Sequence, residues 1–162
     1  MKKLIFFWKE LQATFWFLPV LIICLAIQLS ISLVSLDNSI TISQDGWVRF
    51  FLVSSSDSAR SILSTISGAM IGVAGTVFSV TLVALTLASS QFGPRLIKNF
   101  MHVKLNQVVL GSYIATYLYC LLVLNSIGDS ELNTFIPSIS ILVSIIAAMA
   151  NIILLIVFIH QI

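Results

Sequence analysis

The sequence predicts an all-α integral membrane protein: four transmembrane helices, with a short interfacial or re-entrant segment between the first and second spans. Three observations carry that prediction. Apolar residues fill 59% of the 162 positions and charged residues only 9%, where a water-soluble domain needs roughly a quarter charged. The apolar residues gather into four long runs separated by polar residues or helix breakers. The basic residues fall almost entirely on one side of those runs, as the positive-inside rule requires. The runs are too long and uniformly apolar for the alternating strands of a membrane β-barrel. The first and fourth lack the polar stripe of a soluble bundle.

The first run, residues 14–36, is long enough as a helix to cross an apolar slab of about 30 Å. Lys2 and Lys3 ahead of it resemble the start of a signal peptide, but Lys9 and Glu10 interrupt the pattern and no small-residue cleavage site follows, so it reads as a retained span. Pro19 falls in its opening turns, where a missing N–H costs least. The outer segment, 37–58, holds an aromatic stretch at 46–53 that is too short to span. That stretch reads as an interfacial helix or re-entrant piece anchored by Trp47, or as a loop lying on the bundle. The second run, 60–92, follows a serine-rich cluster and stops at Gly93-Pro94. The third, 107–124, is entered through Asn106 as an N-cap, and the fourth, 135–160, carries Pro137 in its first turn. Together they make residues 1–162 a single transmembrane domain.

Orientation follows from charge. Lys2, Lys3, Lys9, Arg95, Lys98 and Lys104, six of the eight basic residues, share one side. Asp37, Asp45, Asp57, Asp129 and Glu131, five of the six acids, share the other. Both termini are therefore expected in the cytoplasm, with the protein in an inner (plasma) membrane.

The second span is built differently from the others. Stepping at helical period meets Ser61, Ser64 or Thr65, Gly68, Gly72, Gly75, Ser79, Thr86 and Ser90, broken only by Leu82 and Val83. Ile66, Met70, Val73, Val77, Val80 and Ala84 form its greasy side. Such a small, hydroxylated face has two uses. It lets another helix approach closely, as in small-xxx-small pairs like Gly68 and Gly72. It also suits the wall of a water-filled path, with Leu82 and Val83 as a dewetting constriction. Arg95, Lys98 and Lys104 follow the span, and around a symmetry axis they form a basic cytoplasmic mouth; alone, they set topology and meet anionic headgroups.

Asn151 and Gln28, deep in the fourth and first spans, are expected to face protein, since an unpaired amide in lipid is costly. Ser112, Thr116 and Tyr119 make a polar stripe on the third span suited to interhelical hydrogen bonds. No Asp, Glu, Lys or Arg lies in the middle of a span, which argues against proton-coupled transport and voltage sensing. Cys24 and Cys120 lie in apolar runs without metal-ligand spacing and read as packing residues. His102 and His160 have no partnered carboxylate or thiol, and no catalytic or phosphate-binding motif occurs. The expectation is a non-enzyme without cofactor or metal, and without a nucleic-acid site.

The stretch Ala59-Arg60-Ser61-Ile62-Leu63-Ser64-Thr65-Ile66-Ser67-Gly68, then residues 78–85, the Ser89-Ser90-Gln91-Phe92-Gly93-Pro94-Arg95 segment and residues 106–111 together resemble a family of uncharacterised bacterial membrane proteins, domain of unknown function 2254. Phe158-Ile159-His160-Gln161 is similar to that family's closing motif, with Gln161 where a second His is usual. The resemblance runs over roughly residues 59–162. It implies a bacterial inner-membrane location. It also implies that the chain is the N-terminal membrane portion of a longer protein with a cytoplasmic region, or a short form.

The functional expectation is a homo-oligomeric channel or pore in the lipid bilayer, lined by Gly68, Gly72, Gly75, Ser79, Thr86 and Ser90. The alternative is a scaffold or interaction subunit that packs the same face against a membrane protein partner.

Overall fold

Apolar runs in lipid must satisfy every backbone N–H and C=O internally, and a helix does this within one segment. The computed structural model describes residues 17–39, 55–92, 104–128 and 135–161. They form α1 (Phe17–Ser39), α2 (Ser56–Phe92), α3 (Lys104–Ser126) and α4 (Ser138–Gln161). All four are long and apolar enough to cross a membrane, and no strand occurs among the described residues.

The helix ends depart from expectation for identifiable reasons. α1 runs on through Ser39, whose hydroxyl bonds back to Ser35 O at 3.0 Å. α2 starts early because the serine cluster caps it: Ser55 O takes the first helical bond, from Ala59 N at 3.0 Å. The connection between α1 and α2 is thereby narrowed to 40–54, which includes the aromatic stretch at 46–53 and lies outside the described residues. Pro137 precedes α4 rather than entering its first turn, and its carbonyl accepts from Ile141 N at 3.0 Å. Asn106 is not an N-cap. α3 already begins at Lys104, and the Asn106 side chain bonds across to α2 instead.

α3 is the hub. Half of its membrane-crossing window (50%) is buried, against 11% for α1 and 22% each for α2 and α4. α1 and α2 flank it with scarcely any mutual contact, while α4 touches the other three helices. One core cluster joins Ala59 and Leu63 to Tyr119, Val123 and Ile141. A second joins Met70, Ala74 and Val77 to Val109, Tyr113 and Phe158. α1 reaches α3 through a close approach at Gly111, where a Cβ would stand 2.8 Å from Pro19 Cα. At the opposite end of α1, Asp37 caps α4. Its carboxylate accepts from Ile139 N at 3.1 Å, Ser140 N at 2.9 Å and Ser140 Oγ at 2.7 Å, placing negative charge at a helix N-terminus.

Two side-chain links fix the antiparallel register of α2 and α3. Arg60 Nη2 donates to Ile127 O at 3.4 Å, and the Thr81 hydroxyl lies 3.1 Å from Asn106 Oδ1. The links are equally spaced along both helices, about 30 Å apart at helical rise, which matches the apolar thickness of a bilayer. α3 ends almost at the second link, but α2 continues to Phe92, an overhang of roughly 16 Å.

The glycines of α3 and α2 separate under one substitution. Gly111→Ala should lower thermal stability in detergent micelles by about 1–3 kcal/mol, since the methyl meets backbone rather than a yielding side chain. Gly72→Ala, with nothing within 4 Å of its Cβ position, should leave the folding of a single chain unharmed. Equal melting temperatures for the two variants would contradict this α1–α3 contact.

Candidate functional site

Successive residues of α2 turn through about 100°, so Leu63, Ser67, Met70, Ala74, Val77 and Thr81 point within about 40° of one direction. The first five are buried and Thr81 is half-buried. This is the face that α3 and α4 cover. Ser67, at 6% exposure, was not distinguished by the sequence pattern, which runs small residues along the other side. Val80, expected on the greasy side, is exposed.

Gly68, Gly72, Gly75, Ser79 and Thr86 centre on a direction about 150° away, and all five are exposed. Nothing approaches within 4 Å of a Cβ built on any of the three glycines. The small face thus has no neighbour within the described bundle. Leu82 and Val83 lie on it, 47% and 58% exposed. The side chain of Ser90, with Arg95 and Lys98, falls outside the described residues, as does the side chain of Lys104 at the start of α3. The proposed basic mouth therefore has no described geometry.

The hydroxyls on and beside this face bond within their own helix. Thr65 donates to Ser61 O at 2.7 Å, Thr76 to Gly72 O at 3.2 Å, and Ser79 to Gly75 O at 2.9 Å. Thr86 donates to Leu82 O at 2.5 Å. Bonds to the carbonyl one turn earlier let serine and threonine stand at membrane depth without a partner. In this arrangement the face presents bare backbone and acceptor oxygens.

The rotation of α2 is held from behind by Asn151, which is 2% exposed. Its Nδ2 donates to Thr116 Oγ1 at 2.7 Å and lies 3.7 Å from Met70 Sδ. Ser112 Oγ donates to its Oδ1, and Tyr113 OH to its backbone carbonyl at 2.7 Å. Tyr119 OH donates to Ser140 O at 2.9 Å. The expected polar stripe of α3 does link helices. Gln28 departs from expectation: α1 turns it outward, and it is exposed. Cys24 is also exposed, whereas Cys120 is buried, and both are free thiols. Among the described residues, no three His, Cys, Asp or Glu gather where they could hold a metal ion.

With this geometry in view, the comparison with known proteins is direct. A family profile described as predicted membrane protein (DUF2254) matches residues 12–162. The chain belongs to that family. Among its relatives, an uncharacterised protein of Mycobacterium bovis and two of Mycobacterium tuberculosis are each 38% identical over 104 residues. The match covers 64% of this chain and 20% of each relative, so the chain spans about a fifth of the length of the curated relatives it matches. No solved structure matches it.

The Asn151 network predicts a contrast between two mid-span amides. Asn151→Leu should destabilise the bundle by about 1–2 kcal/mol, by removing interhelical bonds at membrane depth. Gln28→Leu should cost a single chain nothing. Reversible unfolding in mixed detergent micelles measures both, and a larger loss for the Gln28 variant would reverse the assignment.

Proposed function

We propose that this protein is a homo-oligomeric membrane channel whose path is lined by α2 through Gly68, Gly72, Gly75, Ser79 and Thr86. The observation that carries the reading is the outward small face: three bare glycines and a line of hydroxyls on the side of α2 that the rest of the bundle leaves open. A helix gains nothing by presenting glycine to lipid. Glycine weakens the helix and offers no side chain to pack. Its use is to admit a second backbone or water. Leu82 and Val83, exposed on the same face, then form the apolar narrowing of the path. Gln28, exposed at mid-span on α1, adds a second polar group that favours a protein neighbour over lipid.

In this reading the Lys104 end of α3 faces the cytoplasm of a bacterial inner membrane, as the charge asymmetry of the sequence directs. Passive conduction requires neither catalytic group nor cofactor. The intrahelical bonds of Thr76, Ser79 and Thr86 favour a second reading, a scaffold in which the same face is packed dry against a partner helix.

Single-channel recording from purified protein in planar bilayers tests the channel. Conductance above that of empty bilayers is expected, and Gly72→Trp should lower it several-fold or abolish it. A silent bilayer, with and without applied tension, ends the reading. Single cysteines distinguish the alternatives: at Gly72, Gly75 and Ser79 a water-soluble thiol reagent should react in a channel and fail in a dry interface, while at Ala74 and Val77 it should fail in both. Orientation is checked separately with alkaline phosphatase fused after residue 162, expected to be inactive. Activity there would place that end outside the cytoplasm.

A further inference from the structure

Arg60 has no role in the proposed conduction path. It is the fifth residue of α2, half-buried, and its Nη2 contact with Ile127 O holds the guanidinium at the first of the two α2–α3 links. An open groove of about 650 Å³ runs beside it between the two helices. Arg60, Ser61, Asn125 and Ile127 line the groove near that link, and Ser64, Leu124 and Leu121 line it deeper. Along α3, Leu121 lies about 9 Å further into the bundle than Ile127. Arg60, Ser61 and Asn125 thus bring a cation and neutral hydrogen-bonding groups to the mouth beside Ile127, and Leu124 and Leu121 lead inward from it with Ser64 opposite.

The level of the mouth gives this arrangement its meaning. Arg60 closes the polar opening turn of α2, with Ser56, Asp57 and Ser58, ahead of its long apolar run; such a turn belongs at the edge of the apolar slab, where lipid phosphates begin. A guanidinium fork suits phosphate oxygens and is less tightly hydrated than an ammonium. Among the described residues the groove holds one arginine, and the Asp57 carboxylate is one turn away on the same helix. That charge balance suits a singly charged phosphodiester better than a phosphate dianion. The side opening and the inward leucines suit a ligand with an acyl chain.

We propose that the groove binds the phosphodiester of a membrane phospholipid. Arg60 takes the phosphate, Ser61 and Asn125 face the glycerol and ester oxygens, and Leu121 and Leu124 carry the first methylenes of one acyl chain. The shared chemistry with a soluble anion is the phosphate group, and the test separates the two sources.

Native mass spectrometry of the purified full chain, titrated in detergent with dioleoylphosphatidylglycerol or with phosphate-free dioleoylglycerol, measures the site. Retention of one phosphatidylglycerol in preference to dioleoylglycerol is expected, with Arg60→Gln weakening it about tenfold, as loss of a charge-assisted bond implies. Ser64→Leu narrows the groove without touching the guanidinium. It should weaken the lipid comparably, and it serves where the Arg60 variant fails to fold. Equal retention of dioleoylglycerol, or lipid affinity unchanged in a folded variant, overturns the proposal. Displacement of the lipid by millimolar inorganic phosphate also overturns it, by making the site one for a soluble anion.

Discussion

Everything that distinguishes this bundle depends on one buried amide. At membrane depth no water is present to satisfy Asn151, so its hydrogen bonds must come from protein. They come from Ser112 and Thr116 of α3, with Met70 of α2 against the same amide nitrogen. Once Met70 faces that node, the geometry of a helix sends Gly68, Gly72 and Gly75 outward. The outward glycine face is thus a result of how α2 is anchored from behind. A rotation of α2 that buried its glycines would withdraw Met70 from Asn151 and expose Ala74 and Val77 in their place.

The bundle is also asymmetric along the membrane normal. At the Asp37 end all four helices finish within about a turn of one another and are tied together, by the cap on α4 and by the link from Arg60 to Ile127. At the other end, among the described residues, α2 runs on past Thr81 and the start of α3. One end of the bundle is cross-linked by these hydrogen bonds, with the Arg60 groove open between α2 and α3. At the other, among the described residues, α2 projects and carries Leu82 and Val83 on its exposed side.

Much of this was legible in the sequence. Bilayer thickness imposes a length on each apolar run, so the number and rough placement of the spans follow directly from composition. The ends were less legible, because Ser39 and Ser55 extend or cap helices where a serine-rich stretch reads as loop. Periodicity identified which residues of α2 share a face, but a period carries no information about what that face is turned toward. For the same reason Gln28 was placed inward when it is outward: a polar residue announces a cost, and only the packing of α1 against α3 reveals whether the fold meets it within the chain. Gly111 and Asp37 were illegible as sites. Each owes its role to a partner far along the chain, Pro19 in one case and Ser140 in the other, and nothing local marks either position.

The Asp37 cap has a temporal consequence. The carboxylate belongs to α1, whereas the donors it serves lie 102 and 103 residues later, at the opening of α4. Until α4 has been made, those donors do not exist. The closing clasp forms when α4 enters antiparallel to α1 and brings its own unsatisfied N–H groups. A chain interrupted before α4 therefore lacks the donors that Asp37 serves.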